Sequence, residues 1–154
     1  MIRLIAISLL LVHAAQAAPA LTGFWYTQDR GGVIAISPCG NDLLCARIAG
    51  VVLDHPRDPT PLDYSGASQC HLPIITDGKH IAPNLWRGHI TDPRSGHVYG
   101  VELRPNPDGT MALRGFLGFT LLGRTQTWTR YPGTPPADCR LYATGRSAQE
   151  NRGN

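Results

Sequence analysis

From Thr22 to Tyr131 this chain repeats one pattern: a short run rich in Val, Ile, Leu, Thr and aromatic residues, then a turn built on Gly or Pro. No window after the first 17 residues sustains the i, i+3, i+4, i+7 spacing of an amphipathic helix, so the chain reads as all-β. The runs are Thr22–Gln28, Gly32–Ser37, Leu43–Val52, His71–Thr76, Leu85–Thr91, His97–Arg104, Met111–Gly118 and Gly123–Tyr131. Between them lie Asp29-Arg30-Gly31-Gly32, Asp77-Gly78, Asp92-Pro93-Arg94-Ser95-Gly96 and Asn106-Pro107-Asp108-Gly109, sequences that favour tight turns. Eight strands joined mostly by hairpins predict an up-and-down antiparallel β-barrel, with a β-sandwich as the alternative. One long stretch, Leu53 to Gln69, carries three prolines between Pro56 and Pro61 and is excluded as a strand. It is expected to fold over one mouth of the barrel.

A barrel of this kind must join its first strand to its last. Gly23-Phe24-Trp25 stands at one end of the series and Trp128-Thr129-Arg130 at the other. A Trp on the first strand and an Arg on the last can stack where the sheet closes, so Trp25 and Arg130 are the expected closure pair.

Before the first strand, Arg3, the apolar run Leu4 to Val12 and Ala15-Gln16-Ala17 have the three-part form of an export signal, residues 1–17. The apolar run is about half the ~20 residues that a spanning helix needs, and no later segment approaches that length, so no transmembrane segment is expected in the mature chain. The remaining residues, 18–143 as a barrel and 144–154 as a polar tail expected to be disordered, suit one domain with one core. Periplasmic or secreted localisation follows. The four cysteines all lie beyond the signal, and an even number in an oxidising compartment points to disulfides. Cys39 and Cys45 flank Gly40-Asn41-Asp42 and face one another across a hairpin, which leaves Cys70 for Cys139. Lys79 is the one lysine among 14 basic residues and no basic run is present, so nucleic acid is not expected as a partner.

Several blocks in order, Gly23-x-Trp25, Ile36-x-x-Cys39, Leu44-Cys45-x-Arg47-Ile48, Trp86-x-Gly88-x-Ile90-x-Asp92-Pro93-x-x-Gly96-x-x-Tyr99 and the run Leu122 to Arg130, resemble the secreted bacterial "domain of unknown function 2147" family. The resemblance covers most of Thr22 to Tyr131 and is most specific in its last block of nine positions. It implies an exported lipocalin-like β-barrel and no established activity. The chain departs from the family pattern after Leu53, where Asp54-His55-Pro56 stands in place of an acidic residue followed by Asn-Pro, and in Cys70 and Cys139, which look like local additions. A separate similarity to lipocalins proper rests on Gly23-x-Trp25 and the late Arg130.

Strand alternation puts Arg124, Gln126, Trp128 and Arg130 on one face of the last strand and Thr125, Thr127 and Thr129 on the other. If Arg130 packs on Trp25, Arg124 and Gln126 share the interior, where a guanidinium needs a carboxylate or an anionic ligand group. Arg47 and Arg114 are candidates to join them, and Trp86 and Tyr99 are candidate aromatic lining. The alternative is that the Thr face points inward and the arginines are solvated charges. The histidines show no H-x-H or H-x-x-x-H spacing, the cysteines no C-x-x-C, and no nucleophile motif is present, so no metal, no cofactor and no catalytic group is expected. The expected function is that of an exported barrel binding a small amphipathic molecule, such as a fatty acid whose acid group meets an interior Arg. An envelope interaction protein with a filled barrel, and then an enzyme, are the alternatives.

Overall fold

The computed structural model describes residues 21–143. The expected export signal, residues 1–17, and the expected disordered tail, 144–154, therefore lie outside the described residues. Eight strands form the wall: β1 (Gly23–Tyr26), β2 (Gly32–Pro38), β3 (Leu43–Leu53), β4 (Pro73–Ala82), β5 (Leu85–Thr91), β6 (Val98–Pro105), β7 (Met111–Phe116) and β8 (Arg124–Arg130). Each pairs antiparallel with the next, and β8 returns to β1 through Trp25 opposite Arg130 and Tyr26 opposite Thr129. The sheet is thus a closed up-and-down barrel and not a sandwich. Closure gives each of the eight a neighbour on both sides, although β1 pairs with only the last two residues of β8, Thr129 and Arg130.

The expected strands recur with shifted ends, and two differences matter. Asp77-Gly78 is not a turn. Asp77 takes a left-handed φ of 48° and the ladder slips between Thr76 and Lys79, so the pair forms a bulge and β4 runs on to Ala82. The hairpin closes instead at Asn84, itself left-handed at φ 56°. A ninth strand, β9 (Arg140–Tyr142), was not expected; it lies parallel to β3, with Val51 opposite Arg140 and Leu53 opposite Tyr142.

Alternation on the strands decides what fills the barrel. Leu44, Ala46 and Ile48 on β3, Trp86 on β5, Val101 and Leu103 on β6, Met111 and Leu113 on β7 and Trp128 on β8 join Trp25, Ile34 and Ile36 in one buried cluster. The cluster is densest at the end that holds Leu21 and the β2–β3, β4–β5 and β6–β7 turns. Both expected disulfides are present, Cys39–Cys45 across the β2–β3 hairpin and Cys70–Cys139 tying the start of β4 to the start of β9.

Candidate functional site

The closed end is built around Trp25, which is 1% exposed. Its indole Nε1 donates to Leu21 O at 2.8 Å, and the Arg130 guanidinium lies over its ring, Cζ at 3.8 Å from the centroid. Arg130 Nη1 also donates to Thr22 O at 2.7 Å. Gly23 permits this: it adopts φ 125°, and a Cβ there would stand 2.7 Å from Arg130 Nη1. Partial burial lowers the Arg130 pKa from its ordinary value. It leaves the group a cation, as stacking on an indole face requires.

At the other end the loops after β1, β3, β5 and β7 gather round a cavity of about 1000 Å³ that opens to solvent. Its lower wall is apolar, with Ile34, Ile48, Ile74, Ile90, Leu113 and Trp128. The last strand supplies the polar groups. The register sets Arg124 opposite Gly115, Gln126 opposite Leu113 and Trp128 opposite Met111, so the three share the inward face while Thr125 and Thr127 point out. Trp128 Nε1 donates to Gln126 Oε1 at 2.8 Å, which turns the Gln126 amide N–H groups away from Trp128. Arg124 sits nearer the mouth, and among the described residues no carboxylate pairs with its guanidinium.

The carboxylates at the mouth are occupied by their own turns. Asp29 lines the cavity, and its Oδ1 accepts from the Thr27 hydroxyl at 2.7 Å and from Gly31 N at 3.1 Å. These bonds, the Thr27 hydroxyl first, hold its pKa below the ordinary carboxylate value, with Arg94 adding a weaker pull. Asp92 Oδ1 accepts from Arg94 N at 2.8 Å. The Leu53–Gln69 stretch reaches the same mouth: Pro61 and Gln69 line the cavity, and Tyr64 N donates to Pro93 O at 2.9 Å. Arg140 on β9 fastens that stretch from outside, donating to Pro56 O and Asp58 O, each at 2.8 Å.

Of the candidate lining residues, Tyr99, Arg124, Gln126 and Trp128 come together at the cavity. Arg47 does not. It points outward from β3, between the inward Ala46 and Ile48, and Nη1 lies 2.7 Å from His71 Nδ1. Trp86 faces inward but belongs to the filled end, 4.7 Å from the His80 ring. Arg114 lies on the outer face and holds the carbonyls of Thr120 and Leu121. The aliphatic wall was not singled out from the sequence, although the alternation that buries Leu44 and Ile36 extends to Ile48 and Ile34. Cys70, His71 and Cys139 bring three potential metal ligands within 4.8 Å of one another, but the two sulfurs are bonded together and His71 Nε2 faces Ala137 O.

The family model described as "Uncharacterized protein conserved in bacteria (DUF2147)" matches residues 23–130, which is most of the barrel. The chain belongs to the DUF2147 family. That span runs from the closure glycine of β1 to the closure arginine of β8, so the family match and the closed wall coincide. No curated protein matches this DUF2147 chain. Among solved structures it is similar to protein HP1028 from Helicobacter pylori, described as belonging to the lipocalin family. The TM-score is 0.60 at 17% identity, over 72% of this chain and 82% of that one. At that identity the likeness concerns the fold: a lipocalin-like barrel.

Proposed function

We propose that this DUF2147 barrel is exported and binds one small amphipathic molecule with an acidic head, of the fatty-acid class. The observation that carries the reading is the pairing of an unpartnered Arg124 guanidinium at the mouth with an aliphatic wall below it, on either side of the Gln126 amide. A guanidinium and an amide N–H two residues apart on one strand face offer donors to a carboxylate, and Trp128, Ile34 and Leu113 offer the tail a dry surface. The volume, about 1000 Å³, is at the upper end of the ~300–1000 Å³ typical of small-molecule pockets, which favours a ligand over an interaction barrel filled with side chains. Export is supported by the sequence of residues 1–17 and by two disulfides, which persist in oxidising compartments.

The test is a titration of delipidated protein with a long-chain fatty acid and with the alcohol of equal length, followed by tryptophan emission. Because Arg124 is solvent-exposed, its preference for the acid should be modest, about three- to tenfold over the alcohol. Arg124→Met should erase that preference without changing the unfolding midpoint. Equal binding of acid and alcohol by the wild-type protein contradicts the role of Arg124, and binding of neither contradicts the ligand reading.

A further inference from the structure

The loop between β7 and β8 carries the most exposed apolar surface among the described residues. Leu117, Phe119, Leu121 and Leu122 follow one another around a single 3-10 turn, Thr120–Leu122, and Phe119 and Leu121 are 77% and 86% exposed. From Leu117 to Gly123 there is no charged side chain. A monomer in water gains nothing from four large apolar groups held outward together.

Three features of the loop say what covers it. First, much of its backbone is already paired. Phe119 N donates to Leu117 O, Leu122 N to Phe119 O and Gly123 N to Thr120 O. Arg114 then reaches from β7 to donate from Nε to Thr120 O at 2.7 Å and from Nη2 to Leu121 O at 3.1 Å. Paired carbonyls at the tip are what entry into an apolar medium demands, where no water replaces a missing partner. Second, Arg114 and Arg124 stand at the two roots of the loop, while the carboxylates of the mouth, Asp29 and Asp92, lie with Arg94 in the turns after β1 and β5. Guanidinium groups at the foot of an apolar tip match the acidic headgroups above a hydrocarbon layer. Third, Leu117 and Leu122 line the cavity as well as the loop, so the apolar surface runs from the tip into the barrel.

We propose that the Leu117–Leu122 loop docks the barrel on an anionic lipid bilayer, inserting Phe119 and Leu121 with Arg114 and Arg124 at headgroup level. The mouth then faces the membrane, and an amphipathic acid can pass between bilayer and cavity without crossing water. Docking itself is independent of the ligand reading; only the transfer rests on it.

The experiment is co-sedimentation of the mature, delipidated protein with phosphatidylcholine vesicles containing or lacking phosphatidylglycerol. Wild-type protein should associate, more strongly with the anionic vesicles. Leu121→Asp should lower the partition coefficient about tenfold or more and Leu121→Met should restore it, since the position has only solvent to lose. A Phe119→Trp variant should show added emission that lipids brominated in their acyl chains quench. Unchanged unfolding midpoints would show that the variants fold. Wild-type protein that stays in the supernatant would overturn the proposal, as would equal binding by Leu121→Asp. Sedimentation velocity without vesicles gives the remaining outcome: a dimer that Leu121→Asp dissolves, with no vesicle binding, would assign the loop to a second copy of this chain instead. Vesicle binding without fatty-acid binding would support docking and overturn only the ligand reading; the reverse would overturn only docking.

Discussion

The two ends of the barrel use the same strands for opposite purposes. At the closed end Trp25 and Arg130 lie one over the other, large side chains such as Ile36, Leu44, Leu103 and Met111 fill the interior, and a disulfide pins the nearest hairpin. At the mouth the inward positions of β8 are Arg124 and Gln126, the opposing residue on β7 is Gly115, and the space between the walls stays open. Position along one face separates them: Arg124, Gln126, Trp128 and Arg130 are successive inward residues of β8. A few residues along one strand separate the closure contact from the wall of the open cavity, the proposed binding surface. Stability should therefore reside in the lower half and selectivity in the upper, and substitutions at the two ends should separate cleanly.

The largest effect is expected at Trp25. Trp25→Ala removes the largest fully buried side chain of the filled end and should cost about 3–5 kcal/mol in urea unfolding. If the cost were small, the filled end would not be the core. Next come the disulfides. Replacing Cys70 and Cys139 by Ser should cost about 4.4 kcal/mol and replacing Cys39 and Cys45 about 2.2, on the loop-entropy estimate for separations of 69 and 6. The bond fastening β9, which lies beside the mouth end of β3, thus outweighs the one on the closed-end hairpin, so cross-linking is the exception to a stability concentrated in the lower half. Coupling between Trp25 and Arg130, read from a double-mutant cycle with Arg130→Met, should be ~0.5–2 kcal/mol, and zero would leave the closure to backbone pairing alone.

The smallest effect is a dependence on acid. Asp29 at the mouth and Asp108 in the β6–β7 turn have lowered pKa values, through the hydroxyls of Thr27 and Thr110 respectively and through backbone N–H groups. A carboxylate lowered in the folded state lends stability that is complete above its unfolded value, about 3.9, and is lost as pH falls through the lowered folded value. Unfolding midpoints should drop below about pH 4, and Asp29→Asn and Asp108→Asn should each flatten that drop slightly. A rise in stability on acidification would contradict both assignments.

Much of the wall was legible because period-two alternation and turn residues are local signals. The closure pair was legible for a different reason: a barrel leaves its first and last strands no other neighbours. Asp77-Gly78 misled because an Asp in the left-handed region beside a Gly looks the same in a bulge as in a hairpin turn, and only the partner strand distinguishes them. β9 left no trace because its three residues are held by β3, by Cys70 through the bond to Cys139, and by the reach of Arg140 to Pro56 and Asp58, all distant in sequence. Arg47, a candidate for the interior, faces outward, and the signal for that is local: Leu44, Ala46 and Ile48 claim the inward face of β3. Trp86 is inward, but its depth depends on where the filled end stops, and strand alternation does not encode depth.

The most direct test of the open mouth as a binding site is native mass spectrometry of the protein purified, without delipidation, from the bacterium that makes it, followed by solvent extraction. One amphipathic acid per chain is the expected result, with its occupancy reduced in Arg124→Met. A bare wild-type chain that also takes up no added fatty acid would contradict the account.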